Sequence, residues 1–144
     1  MIALDTNVLV YAHRAEFPEH AQAVRVVREL TEGVIPFGVP VFVLGEFLRV
    51  CTHGAYLRPP SSDGEATDFL ERVLSSPSCR VLHTGPVYWR LLRDDVLEHR
   101  VRGNDVFDAQ IAAVCRQHGV RAVVTQDRAF ARSTGMRTIT LDDL

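Results

Sequence analysis

The chain has 144 residues, 47% of them hydrophobic and 24% charged, with a formal net charge of -2. That length fits one compact domain, 1–144, able to bury a core, and the composition is ordinary for a globular protein. No apolar run approaches the roughly 18 residues of a membrane span. The start, MIALDTNVLVYA, has no basic flank and carries Asp5 inside its apolar stretch, unlike a secretory leader. The expectation is a mature protein that begins at Met1 and stays in the cytoplasm.

In chain order, short apolar runs alternate with amphipathic segments, the pattern of βαβ units around a parallel sheet. Ile2-Ala3-Leu4 reads as a buried first strand, with Asp5-Thr6-Asn7 at its carboxyl end and a helical turn from Val8 to about Ala15. Pro18 and Glu19 open a helix to about Glu32, apolar at Ala23, Val26, Val27 and Leu30. A short strand is expected around Val34-Ile35, then a helix from Val41 to about Thr52, opened by Pro40. Gly54 to Gly64, with Pro59-Pro60-Ser61-Ser62 at its centre, reads as a surface loop. Next come a helix over Glu65–Leu74, a strand over Arg80–Leu82 and a helix from Pro86 to about His99, broken by Gly103-Asn104. A strong helix, Asp105 to His118, is stopped by Gly119. Strands at Arg121–Thr125 and Thr138–Thr140 close the chain.

Cys51, Cys79 and Cys115 lie in apolar contexts without C-x-x-C spacing, which reads as buried thiols and not a disulfide framework. The six histidines (13, 20, 53, 83, 99 and 118) show no zinc-site spacing and read as surface or capping residues.

Carboxylates carry the chemical signal, because burying an unpaired one is costly. Asp5 follows a strand buried on both faces, at the end where open α/β sheets bind ligands. Capping of the following turn explains it equally well. Glu46 is the one acid between Glu32 and Asp63, in the apolar setting Val-Leu-Gly-Glu-Phe-Leu; an ion pair with Arg49 is its bland explanation. Asp108 points with the stripe Phe107, Ile111, Ala112 and Cys115 near a helix start, so it needs a cation, a capped amide or a metal. Asp105, in the same first turn, reads as a helix cap or an auxiliary acid. Asp127 follows the strand Ala122–Thr125, again at a carboxyl end, with a turn cap as its alternative.

A parallel sheet can bring Asp5, Glu46, Asp108 and Asp127 to one rim, where their mutual repulsion calls for bound cations. An all-oxygen donor set selects hard ions such as Mg²⁺ or Mn²⁺, suited to phosphoryl displacement. Thr6, Asn7 and Thr125 are placed to orient such ligands. All 16 basic residues are arginine, the side chain that forks onto phosphates. With four of the 18 acids neutralised by metal, 16 positive charges face 14 negative, so net charge neither opposes nor supports a polyanionic substrate.

The motifs D-T-N-V-L from Asp5, V-L-G-E-F-L-R-V from Val43, V-R-G-N-x-x-x-D-A-Q-I-A-A from Val101 and V-V-T-Q-D-R-A-F from Val123 resemble the PIN-domain family. The likeness is greatest to VapC toxins of bacterial toxin–antitoxin modules and runs along the whole chain. It implies a single PIN domain, a three-layer α/β/α sandwich on a central parallel sheet. It also implies Mg²⁺- or Mn²⁺-dependent endonucleolytic cleavage of RNA, with the family's acids carried onto Asp5, Glu46, Asp108 and Asp127. A VapB-type antitoxin whose C-terminal segment packs on the toxin, and a homodimer, are implied as well. Ala129 stands where relatives often carry another acid, and Asp105 where they often carry an apolar residue. Two other phosphoryl-chemistry folds fall on inspection. A haloacid-dehalogenase-like phosphatase needs a second Asp where Asn7 stands, and a receiver domain needs a lysine, of which there is none. The remaining rival is a PIN-like module that binds RNA or protein without turnover.

Overall fold

A computed structural model describes all 144 residues. The strands are β1 (Ile2–Leu4), β2 (Phe37–Pro40), β3 (Cys79–Leu82), β4 (Ala122–Val124) and β5 (Thr138–Ile139). They form one sheet in the order β3-β2-β1-β4-β5, every neighbouring pair parallel. Seven helices connect them: α1 (Thr6–His13), α2 (His20–Glu32), α3 (Val41–Thr52), α4 (Asp63–Leu74), α5 (Tyr88–Glu98), α6 (Asp105–Gln117) and α7 (Phe130–Thr134), with a 3-10 turn at Leu141–Asp143. The helices pack in two groups, α1–α4 and α5–α7, about the sheet, giving the α/β/α layering expected. No helix is long and apolar enough to cross a membrane.

The chain runs β1 to β2 to β3 on one side, then returns to place β4 against the other side of β1. The order therefore reverses between β1 and β4, and in open α/β sheets the crevice beyond the carboxyl ends at such a reversal is where ligands bind. Backbone bonds continue past both strands, from Asp5 N to Val124 O (3.0 Å) and from Thr125 N to Ile139 O (3.0 Å), so the residues after β1 and β4 are held as firmly as the strands.

The sheet is buried on both faces. Ala3, Leu4, Phe37, Val39, Val123 and Val124 are excluded from solvent, as are Leu9, Phe47, Ile111 and Phe130 on the helices. Each such large side chain contributes roughly 1.5–3 kcal/mol by leaving water. The three cysteines are buried and free, as expected.

Several boundaries differ from the sequence reading. The second strand is Phe37–Pro40, not Val34-Ile35, which stand 91% and 74% exposed in the connection before it. The residues F-G-V-P look poor for a strand, yet tertiary packing selects them. A Cβ on Gly38 would lie 2.6 Å from Leu82 Cδ1 on β3, so the Leu82 side chain packs into the space the glycine leaves and would have to shift for any larger residue. Pro40 lies beyond the last residue paired with β1. Helix α1 begins at Thr6, capped by Asp5, and α4 begins at Asp63 behind a Ser62–Glu65 capping box. The N-cap position of α6 belongs to Asn104, so Asp105 is a first-turn acid and not the cap. Phe107 is 54% exposed and does not join the buried stripe of α6. His13 is no surface residue either: its ring packs between Phe47 and Phe69 (centroids 5.5 and 5.0 Å) and bonds Ser61.

Candidate active site

Asp5, Glu46, Asp108 and Asp127 all line one cavity of about 330 Å³ beyond the carboxyl ends of β1 and β4. Each arrives on a different element. Asp5 follows β1, Glu46 lies on α3 one residue before buried Phe47, Asp108 lies on the first turn of α6, and Asp127 follows β4. Tyr11 and Phe17 form part of the wall, with Tyr56 and Leu57 from the loop after α3. Sequence reasoning assigned none of these four a place at the site, since apolar and aromatic residues carry no local mark of which cavity they line.

Asp5 is the most restrained. It is 5% exposed; Oδ1 accepts from Thr6 N (2.7 Å), and Oδ2 accepts from Asn7 Nδ2 (2.7 Å) and Thr125 Oγ1 (2.6 Å). Thr125 Oγ1 also receives bonds from Asn7 Nδ2 (2.8 Å) and the Asp127 backbone N–H (3.0 Å). One hydroxyl thus ties the ends of β1 and β4 together. Asp5 is both the cap of α1 and a cavity carboxylate, so the two explanations of it are compatible. Asp127 likewise closes its own turn through Ala129 N to Oδ1 (2.7 Å) while its side chain reaches the cavity. Glu46 accepts from Thr6 Oγ1 at 2.6 Å and stands 3.9 Å from Arg49 Nη2, so the expected i, i+3 pair is present at its outer limit.

Burial pushes the Asp5 carboxyl up to about 6, against the opposing bonds from Thr125 and Thr6, with Glu46 and Asp127 adding repulsion. Asp108 is pushed to about 7, first by burial and then by Asp5, Asp127, Glu46 and Asp105. Carboxyl groups raised by burial and by neighbouring carboxylates are the electrostatic pattern expected of a site that works with a counter-cation. The side chains line the cavity without three of them converging at metal-ligand distance. Asp127 is exposed, while Glu46 and Asp108 are half-buried. Arg102 and Arg128, near Asn104 and Asp127 in the chain, are exposed.

Asp95 went unnoticed in the sequence. Nearly buried on α5, it pairs with Arg116 of α6, whose other nitrogen donates to Thr134 O at the end of α7. Its place three residues after buried Leu92 was the available signal. This carboxylate has its cation within the fold and lies outside the cavity; of the four at the sheet end, only Glu46 has an arginine within 4 Å.

A parallel α/β sandwich with an acidic cavity at its strand-order reversal carries its candidate site where open α/β folds bind ligands. Residues 2–135 match the PIN domain, and the chain belongs to that family. It is 34% identical over 137 residues to a VapC ribonuclease of Mycobacterium bovis, covering 95% of this chain and 92% of that one. It is 37% identical over 143 residues to ribonuclease VapC31 of Mycobacterium tuberculosis, covering 96% and 97%. Among solved structures, VapBC2 of Rickettsia felis bound to a promoter DNA fragment superposes with a TM-score of 0.67 at 19% identity, covering 97% of this chain and 98% of that chain.

Proposed function

We propose that residues 1–144 act as a single PIN domain that is a divalent-metal-dependent endoribonuclease, the toxin of a type II toxin–antitoxin pair. The reading rests on one observation above the rest: carboxylates from four separate elements line a single cavity at the strand-order reversal, and two of them have raised pKa values. The relatives named ribonuclease VapC support the same activity.

Asp5, Glu46, Asp108 and Asp127 are the residues that would hold Mg²⁺ or Mn²⁺, and the all-oxygen donor set fits such hard ions. A bound ion would supply Lewis acidity for hydrolysis, in which water adds to phosphorus and one P–O bond of the RNA chain breaks. The chain's own residues do the positioning. Thr125 and Asn7 fix the Asp5 carboxylate in one orientation, and Thr6 holds Glu46 from the opposite wall. Asp108 carries a proton part of the time near neutral pH, and gives it up when the cavity gains positive charge.

A VapB-type antitoxin is the proposed partner, its C-terminal segment covering the acidic cavity with a basic side chain. A homodimer is the proposed assembly. Purified protein incubated with RNA should cleave only with Mg²⁺ or Mn²⁺, stop on chelation, and lose about 10²-fold or more of its rate in Asp108→Asn. Parental cleavage by Asp108→Asn, or cleavage in chelator, would contradict the assignment.

A further inference from the structure

Beside the acidic cavity lies a second pocket, of about 230 Å³, that shares Glu46 as a wall. Phe42 and Ile111 form its apolar base, Phe107 one side, and Gln110 and Arg49 its polar edge. Its rings and charge are already arranged. Phe42 is held against Tyr88 at 5.8 Å between centroids. The Arg49 guanidinium is held over Tyr56, bonding its hydroxyl at 2.9 Å, and Tyr56 itself lines the acidic cavity. Phe107, more than half exposed, is the residue preceding Asp108, and Gln110 follows two residues later.

Gly45 supplies the second, independent observation. It sits inside α3, where glycine weakens a helix relative to alanine. A Cβ there would meet nothing within 4 Å, so no packing demands the glycine. What it does is leave the pocket open beside Glu46. Local rules broken without a packing reason mark function.

We propose that this pocket receives one unpaired base of the RNA substrate, next to the phosphate at the acidic cavity, and selects it. The inference rests on the ribonuclease reading above and names how that site chooses where to cut. An RNA base stacks on an aromatic face and is read at its edge by an amide that offers both a donor and an acceptor. Phe107 supplies the face, Gln110 the edge contact, and Arg49 a cation for the flanking phosphate. The pocket is smaller than the roughly 300–1,000 Å³ of drug-sized clefts, the scale of one planar ring and not of a protein segment. Its continuity with the acidic cavity, through the shared wall of Glu46 and through Arg49 bonded to Tyr56 of that cavity, favours substrate over an unrelated ligand.

Two measurements test it, with Gly45→Leu to fill the pocket and Phe107→Ala to remove its side, each checked for a parental thermal midpoint. In chelator, single-stranded hexaribonucleotides of each base are titrated while the Gln110 side-chain amide is followed by NMR. The parent should show saturable shifts with one base preferred, and both variants should bind about tenfold more weakly. With Mn²⁺, both variants should cleave RNA with KM raised about tenfold, kcat within about twofold, and a relaxed nucleotide preference beside the cut. Parental KM and preference in both variants would overturn the proposal. So would altered self-association by sedimentation with unchanged oligonucleotide binding, which would make this face a contact between two copies. Base-selective binding by a parent that never cleaves would uphold the pocket and remove the ribonuclease reading instead.

Discussion

At the scale of single residues, the chemistry turns on how Asp5 and Asp108 respond to charge. Both carboxyl groups are raised chiefly by burial, Asp5 to about 6 and Asp108 to about 7. An acid with a folded pKa above its unfolded value stabilises the fold while it stays protonated, and that contribution is lost as pH rises through the folded pKa. In chelator, the stability of the parent relative to Asp108→Asn should therefore fall between about pH 4 and about pH 7. Urea midpoints of the two proteins across that range check it, and a difference that grows with pH would contradict the account. Thr125 offers a second handle. Its hydroxyl donates to Asp5 and accepts from Asn7 and Asp127, so Thr125→Val keeps the shape and removes three bonds. Metal-dependent cleavage should drop roughly 10–100-fold, as when an outer partner of a ligand is lost. The acid limb of its pH–rate profile should move upward, because a bond that favours the charged form of Asp5 is gone.

At the scale of elements, two kinds of buried acid serve opposite ends. Asp95 and Arg116 fasten α5 to α6, with Arg116 also gripping the end of α7. Asp95→Ala strands a guanidinium that is partly exposed, so the loss should lie toward the lower end of the roughly 3–5 kcal/mol seen when one partner of a buried pair is removed. Denaturant unfolding reads this directly, with no change of metal affinity expected, since the pair lies outside the cavity. The same comparison explains which elements were legible in the sequence. Long amphipathic helices such as Asp105–Gln117 were, because their period reports the buried face; so was the strand Ile2–Leu4, a continuous apolar run. Strand β2 was not. Val34 and Ile35 have better strand propensity than Phe37–Pro40, and pairing with β1 and β3, which buries Phe37–Pro40, reverses the choice. The start of α4 was legible in principle: Ser62 and Glu65 carry the S-x-x-E signature, obscured by the prolines just before it.

At the scale of the whole molecule, topology gathers what local sequence cannot. Asp5 and Asp127 stand 122 positions apart and meet because β1 and β4 pair in parallel where the strand order reverses. That they share a cavity with Glu46 and Asp108 was expected from strand-end position and motif likeness; Thr6, Asn7 and Thr125 were foreseen as orienting residues, but not the bonds by which they hold Asp5, Glu46 and Asp127. The second pocket was invisible in sequence, where Phe107 reads as one more apolar position of a helix stripe and Gly45 as noise. The central claim is that the four carboxylates form one metal site, and calorimetric titration of Mn²⁺ into the apo-protein at pH 7.5 tests it most directly. Saturable binding should be abolished in Asp5→Asn and Asp108→Asn and weakened roughly 10–100-fold in Glu46→Gln and Asp127→Asn. Parental Mn²⁺ affinity in Asp5→Asn and Asp108→Asn would contradict it.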